Sequence, residues 1–162
     1  MQTSIKSFLI SSALALGTTG TLLNTPAFAA DEVLVTADVA TSTLAVQGYD
    51  VIAYRGGTPT LGSVDYAAMH EGATYRFASQ ANLDAFTADP ARFVPAYGGF
   101  CAYGVAKGKK FEVDPTAFSL IDDVLYLNYN RRIQKKWSKK TDKYIDQADG
   151  NWSELRSTAF DG

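Results

Sequence analysis

Residues 64–79 read VDYAAMHEGATYRFAS, and the reading of this stretch decides the fold. Val64–His70 and Ala73–Ala78 flank Glu71-Gly72, a pair suited to a tight turn, so the segment predicts two strands folded back as a hairpin. Ser79 stands where a helix N-cap belongs, ahead of Gln80–Thr87 with Leu83 and Phe86 on one face. Asp89-Pro90 restarts the chain and predicts another short helical turn over Ala91–Val94, because proline suits a first helical turn.

Outward from this core motif the same signals recur. Tyr97-Gly98-Gly99 breaks the chain, Phe100–Val105 predicts a strand, and Lys107-Gly108-Lys109-Lys110 forms a basic turn. Phe118–Ile121 and Val124–Tyr129 flank Asp122-Asp123 as a second hairpin. Apolar residues occupy both alternating sets of positions, so this ribbon is expected to be covered on both faces. Asn130 can cap the helical segment that begins after it. Ile133, Trp137, Tyr144, Ala148, Trp152 and Leu155 recur at helical spacing, with Gly150 and Thr141-Asp142 as candidate breaks. On the N-terminal side, Val51–Tyr54 reads as a short strand entered through Gly48-Tyr49-Asp50. No internal repeat is visible. The expected fold class is α+β: a small antiparallel sheet of hairpins, short helices after the second strand, and a C-terminal amphipathic helical segment.

The first 29 residues predict a secretory signal peptide. Lys6 precedes an apolar and small-residue run from Phe8 to Leu23, Asn24-Thr25-Pro26 breaks it, and Ala27-Phe28-Ala29 offers small residues for a cut near Ala29. Ser11, Ser12, Thr18, Thr19 and Thr21 dilute the run below what a membrane span needs. The expected location is periplasmic or secreted. Residues 30–43 read as a tail with a lead-in strand, Glu32–Thr36, and residues 44–162 as one domain.

Removal of residues 1–29 takes one base, Lys6, from the 15 in the chain and leaves the 17 acids, a net charge of about −3. That balance argues against general nucleic-acid binding. Arg131, Arg132, Lys135, Lys136, Lys139, Lys140 and Lys143 make one basic face. A solvated surface is the default reading, and an anionic partner the functional alternative, diluted by Asp142, Asp146, Asp149 and Glu154. Cys101 is the chain's one cysteine, so no intramolecular disulfide can form. An unpaired cysteine is unusual in an exported protein, although a buried, inert thiol is the simplest reading of the residue type.

His70-Glu71-Gly72-Ala73-Thr74-Tyr75-Arg76-Phe77-Ala78-Ser79, followed by Phe86, Asp89-Pro90 and Phe93, resembles the YHS domain. A wider likeness to the exported YHS-domain (seleno)proteins runs through Gly48–Tyr54, Tyr97–Tyr103, Leu125–Tyr129 and Lys135-Lys136-Trp137. The resemblance implies an α+β fold and a periplasmic location. Many YHS modules carry a cysteine pair that suits a soft metal; the matching positions here are Ala78 and Asn82, so that pair is absent. Some members of the exported branch place selenocysteine at the position of Cys101, which implies a functional thiol.

Two chemistries are open to Cys101 with His70 as helper. A soft metal such as copper(I) can be bound by Cys101, His70 and the thioether of Met69; zinc would need further ligands. Met69 and His70 are strand neighbours and point to opposite faces, so both can bind only at a strand end or bulge. Alternatively Cys101 is a redox or nucleophilic thiol, its pKa lowered by His70, Lys107 or Arg76, that acts on a small thiol through a mixed disulfide or passes through a sulfenic acid. A Cys–His hydrolytic pair lacks an identifiable third member. Tyr49, Asp50, Tyr97 and Tyr103 are candidate pocket residues near Cys101. The third class is an interaction scaffold whose cysteine is merely buried.

Overall fold

A computed structural model describes residues 44–160. The signal peptide expected over residues 1–29 and the tail and strand expected over residues 30–43 lie outside the described residues. The observed architecture is α+β, with two two-stranded antiparallel hairpins and short helices. Strands β1 (Ser63–His70) and β2 (Ala73–Phe77) close on Glu71 and Gly72, at φ of 48° and 78°. Strands β3 (Asp114–Ile121) and β4 (Val124–Asn128) close on Asp122 and Asp123, at 50° and 66°. Positive φ at both central residues is the turn whose twist matches the strands it joins. Each hairpin runs straight into a capped helix. Ser79 Oγ accepts from Asn82 N at the head of α1 (Gln80–Ala88), and Asn130 Oδ1 accepts from Ile133 N at the head of the helix that begins at Arg131.

These two units are copies of one design. The strand boundaries and helix cap of the first recur 51 residues later: 63 to 114, 73 to 124, 79 to 130. The strand irregularity between Ser63 and Ala67 returns between Asp114 and Phe118. Upstream, Ala45–Gly48 and Ala96–Gly99 form matching left-handed turns, with Val46 and Gln47 at φ of 46° and 54° and Tyr97 and Gly98 at 56° and 58°. In both, the next amide, of Tyr49 or Phe100, donates to the carbonyl three residues back at 3.0 Å. Left-handed backbone costs a non-glycine residue about 1–2 kcal/mol, so its recurrence marks a turn that the surrounding packing imposes. Between residues 45–92 and 96–143 the chain keeps only Ala45/Ala96, Gly48/Gly99, Gly57/Gly108 and Tyr75/Tyr126 identical. The repeat is therefore visible in the backbone and almost erased in the side chains.

Two expectations fail at matching places. Val51–Tyr54 and Phe100–Val105 are not strands: Ala53–Gly56 is a 3-10 turn, and α2 (Ala102–Val105) is a single helical turn. In both copies the side chain just before the turn accepts from a backbone amide within it, and such local bonds favour a turn over a sheet ladder.

The core follows the duplication. In β4, Leu125 and Leu127 join one apolar cluster with Tyr54, Phe77 and Phe86, while Tyr126 faces a second with Phe100, Val105 and Trp137. The ribbon is thus covered on both faces, as its pattern predicts. Phe86 and Trp137 are equivalent anchors, each stacked on the equivalent tyrosine: Tyr75 to Phe86 at 4.7 Å, Tyr126 to Trp137 at 5.3 Å. The C-terminal segment divides into α3 (Arg131–Trp137) and α4 (Thr141–Leu155), so Thr141 marks the break and Gly150 lies inside the second helix. Ala148, Tyr144, Trp152 and Leu155 lay α4 over the second cluster. Among the described residues no helix is long and apolar enough to cross a membrane.

Candidate functional site

Cys101 leaves the left-handed turn and caps α2 with its sulfur. Its amide donates to the Phe111 carbonyl at 3.1 Å. The sulfur accepts from Gly104 N at 3.4 Å and from Tyr129 N, just beyond β4, at 3.2 Å, and its S–H donates to Asn128 Oδ1 at 3.9 Å. The residue is 1% exposed. Burial pushes the thiol above its ordinary pKa, against the opposing pull of the Gly104, Tyr129 and Tyr103 amides. This is opposite to the lowered pKa expected from His70, Lys107 or Arg76. Asn128 is fully buried, and its Nδ2 has no hydrogen-bond partner among the described residues.

The equivalent of Cys101 in the first copy is Asp50. Its amide donates to the Thr60 carbonyl at 2.9 Å, the counterpart of the Cys101 bond to Phe111. The carboxylate is fully buried and accepts from Ile52 N at 2.8 Å, Ala53 N at 3.3 Å and Ala78 N at 2.8 Å. Ala53 and Ala78 are the counterparts of Gly104 and Tyr129. A fourth bond, from Asn82 Nδ2 at 2.6 Å, comes from α1. The position equivalent to Asn82 is Ile133, which offers no donor. One cradle of backbone amides therefore holds a carboxylate in the first copy and a sulfur in the second.

Where Asn82 plugs the first cradle, the second opens. A groove of about 430 Å³ is lined by Cys101, Tyr103, Gly104, Lys107, Phe111, Tyr129 and Ile133. Gly104 is required for its shape: a Cβ there would stand 2.6 Å from the Phe111 ring and 3.0 Å from the Lys109 carbonyl. The Lys136 ammonium sits 4.9 Å from the centre of the Tyr103 ring and that of Lys107 at 5.6 Å. A hydrogen bond with Lys136 is the main cause holding the Tyr103 phenol below its ordinary pKa, despite a small opposing desolvation.

His70 ends β1 on the opposite side of the first hairpin's turn from Ala73. Its ring meets Phe86 edge-on at 5.9 Å and Tyr75 at 6.4 Å, and its Nε2 lies 3.9 Å from Glu71 Oε1. None of these neighbours is a hydrogen-bond partner of Cys101. Met69 points away and is 65% exposed. Among the described residues no group of three or more His, Cys, Asp or Glu is arranged to hold a metal. Of the candidate pocket residues, Tyr103 lines the Cys101 groove. Tyr97 lines a separate cavity of about 170 Å³ with Tyr75 and Trp152, Asp50 is sealed in its own cradle, and Tyr49 packs on the first cluster. Seven basic residues from Arg131 to Lys143 are exposed, as a solvated face requires. Asn128, Tyr129, Phe111 and Gly104 are site residues that the sequence reading passes over. Only the 51-residue match to Asp50 and its donors points to the last amide contacts.

Comparison with protein-family models, curated proteins and solved structures finds no significant match for this chain.

Proposed function

We propose that this chain is an exported YHS-type binding module that takes a small sulfur-containing molecule at Cys101 by thiol–disulfide exchange. One observation carries the reading: the Cys101 sulfur occupies the cradle that holds a buried carboxylate in the first copy, and a groove leads to it. Backbone donors that suit a carboxylate also suit a thiolate, the form of cysteine that attacks. The Cys101 thiolate attacks one sulfur of a disulfide, its S–S bond breaks, and a mixed disulfide forms. The second sulfur leaves as a thiolate, and the proton of Cys101 passes to water. The raised thiol pKa makes the exchange slow at neutral pH and faster in alkali, a behaviour suited to a holding site.

Copper(I) is the competing occupant. It would rest on Cys101 with ligands from outside the chain, since His70 and Met69 have separate surroundings. Mass spectrometry after exposure to cystine or an aromatic disulfide tests the proposal. A single adduct on Cys101, formed on the folded protein and reversed by reductant, is expected. Absence of an adduct with stoichiometric copper(I) binding lost in Cys101→Ser favours the metal. Absence of both leaves a scaffold with a buried thiol.

A further inference from the structure

The chemistry of the groove names a ligand class, and this inference rests on the Cys101 groove being the site. Three sides are apolar or aromatic: Tyr103, Phe111, Tyr129 and Ile133. Phe111 and Tyr129 are large, exposed surfaces, at 44% and 54%. Two ammonium groups contact the ring of Tyr103: that of Lys107, which itself lines the groove, and that of Lys136, which reaches the ring from α3. Among the described residues no carboxylate lies within ion-pair distance of either. Among the described residues, Lys107 meets Gln147 Oε1 at 3.3 Å and the Tyr103 and Tyr144 rings. Next to Cys101, the carboxamide oxygen of fully buried Asn128 meets the thiol, and its Nδ2 has no partner among the described residues. The first copy has none of this, because the Asn82 amide fills the equivalent space and Gly56 stands where Lys107 does.

We infer that the groove binds an organic anion with a flat apolar body, its carboxylate at Lys107 and Lys136 and its body against Phe111, Tyr129 and Ile133. An apolar molecule without charge would leave both ammonium groups without a counter-ion. A compact inorganic anion would leave the aromatic walls wet. The ligand that satisfies both is an aryl or arylalkyl carboxylate, and its sulfur-bearing relatives are the molecules that reach Cys101.

The test uses sulfur-free probes, so that it stands apart from the exchange chemistry. The Ile133 methyl signal is followed by NMR as the purified protein is titrated with 4-phenylbutyrate and, separately, with 4-phenylbutanol. The carboxylate is expected to bind roughly two- to fivefold tighter than the alcohol, the range for an exposed ion pair, and to lose that advantage as salt is raised. Lys107→Gln with Lys136→Gln should bring the two affinities together, by a larger loss for the carboxylate than for the alcohol. Cys101→Ser should retain the preference. Equal affinities in the unmodified protein, or no shift of Ile133 with either probe, overturn the inference. Disulfide exchange at Cys101 in that case would leave the proposed function standing; a preserved carboxylate preference without exchange would leave the ligand class standing and remove the thiol chemistry.

Discussion

Cys101 follows Asp50 by 51 residues and receives the counterparts of two of its backbone donors, Gly104 N for Ala53 N and Tyr129 N for Ala78 N. The two side chains differ in what else reaches them. Asp50 has two further donors, Ile52 N and Asn82 Nδ2, whereas the Cys101 sulfur adjoins a groove. Equivalent positions thus hold a tied carboxylate and a thiol beside a groove, and the difference can be measured.

Asp50→Ala takes the carboxylate from four N–H groups and leaves three of them, of Ile52, Ala78 and the Asn82 amide, without that acceptor, while Ala53 N keeps its bond to the Asp50 carbonyl at 3.1 Å. Because bonds to a charged acceptor are worth about 1.5–3 kcal/mol each and orphaned buried donors carry a penalty, the loss should be about 3 kcal/mol or more. Cys101→Ala removes a weaker acceptor from two amides and should cost about 1–3 kcal/mol. Urea denaturation of the two variants checks the order; a Cys101 variant less stable than the Asp50 variant would contradict the assignment of roles.

Alkali should weaken the fold chiefly through three buried groups, with a fourth, Tyr126, shifted the same way by burial. Burial raises the pKa of Cys101, Tyr54 and Tyr97 above their ordinary values, and Tyr97 is raised further by the Asp149 carboxylate that its hydroxyl bonds at 2.8 Å. Each group binds its proton more tightly when folded, so its contribution is complete below the ordinary pKa and disappears as pH rises through the folded value. Unfolding free energy should be flat from pH 7 to about 8.5 and fall above that, beginning with the thiol. Tyr54→Phe forfeits the bond from its hydroxyl to the Pro115 carbonyl, 2.9 Å, at a cost of about 1 kcal/mol near neutrality. It should also flatten the alkaline decline.

Gly104→Ala is expected to separate groove from fold. Alanine favours a helical turn over glycine by about 1 kcal/mol, which offsets the shift of the exposed Phe111 ring, 2.6 Å away, and a small displacement of the Lys109 carbonyl at 3.0 Å. The melting temperature should change by only a few degrees. Access to Cys101 should change severalfold, read as the rate of alkylation by iodoacetamide, because Phe111 is displaced across the groove. An unchanged rate would show that this wall does not control access.

Trp137→Phe should be unusually mild for a fully buried tryptophan. The Nε1–H of Trp137 has no hydrogen-bond partner, and a buried unsatisfied donor costs about 1–3 kcal/mol. Phenylalanine removes that cost along with part of the packing, and the equivalent position, Phe86, already holds one. A loss under about 2 kcal/mol by thermal melting is expected, against the 3–5 kcal/mol of a truncation to alanine.

The parts of the fold legible in the sequence were those governed by neighbours in the chain. Glu71-Gly72 and Asp122-Asp123 announce their turns, and Ser79 and Asn130 announce their helices, because each acts within four residues. Val51–Tyr54 and Phe100–Val105 misread as strands because what bends them is a side-chain acceptor, at Asp50 and Cys101, set by a left-handed turn that Val46 and Tyr97 do not advertise. The same limit applies to the site. Cys101 stands out as a lone thiol, but its partners come from β4 and from the loop at Phe111, and contacts between distant segments leave no local pattern. The duplication stayed hidden because backbone geometry survived where only four of the matched side chains did.

The matching left-handed turns before Asp50 and Cys101 give the molecule an internal control. A structure with one copy of a socket must keep that socket intact, since any loosening of it threatens folding. Here the first socket bears the architectural load, closed by a carboxylate and an amide, and the second is released from it. Such redundancy is a route by which a binding pocket can be varied without putting the scaffold at risk.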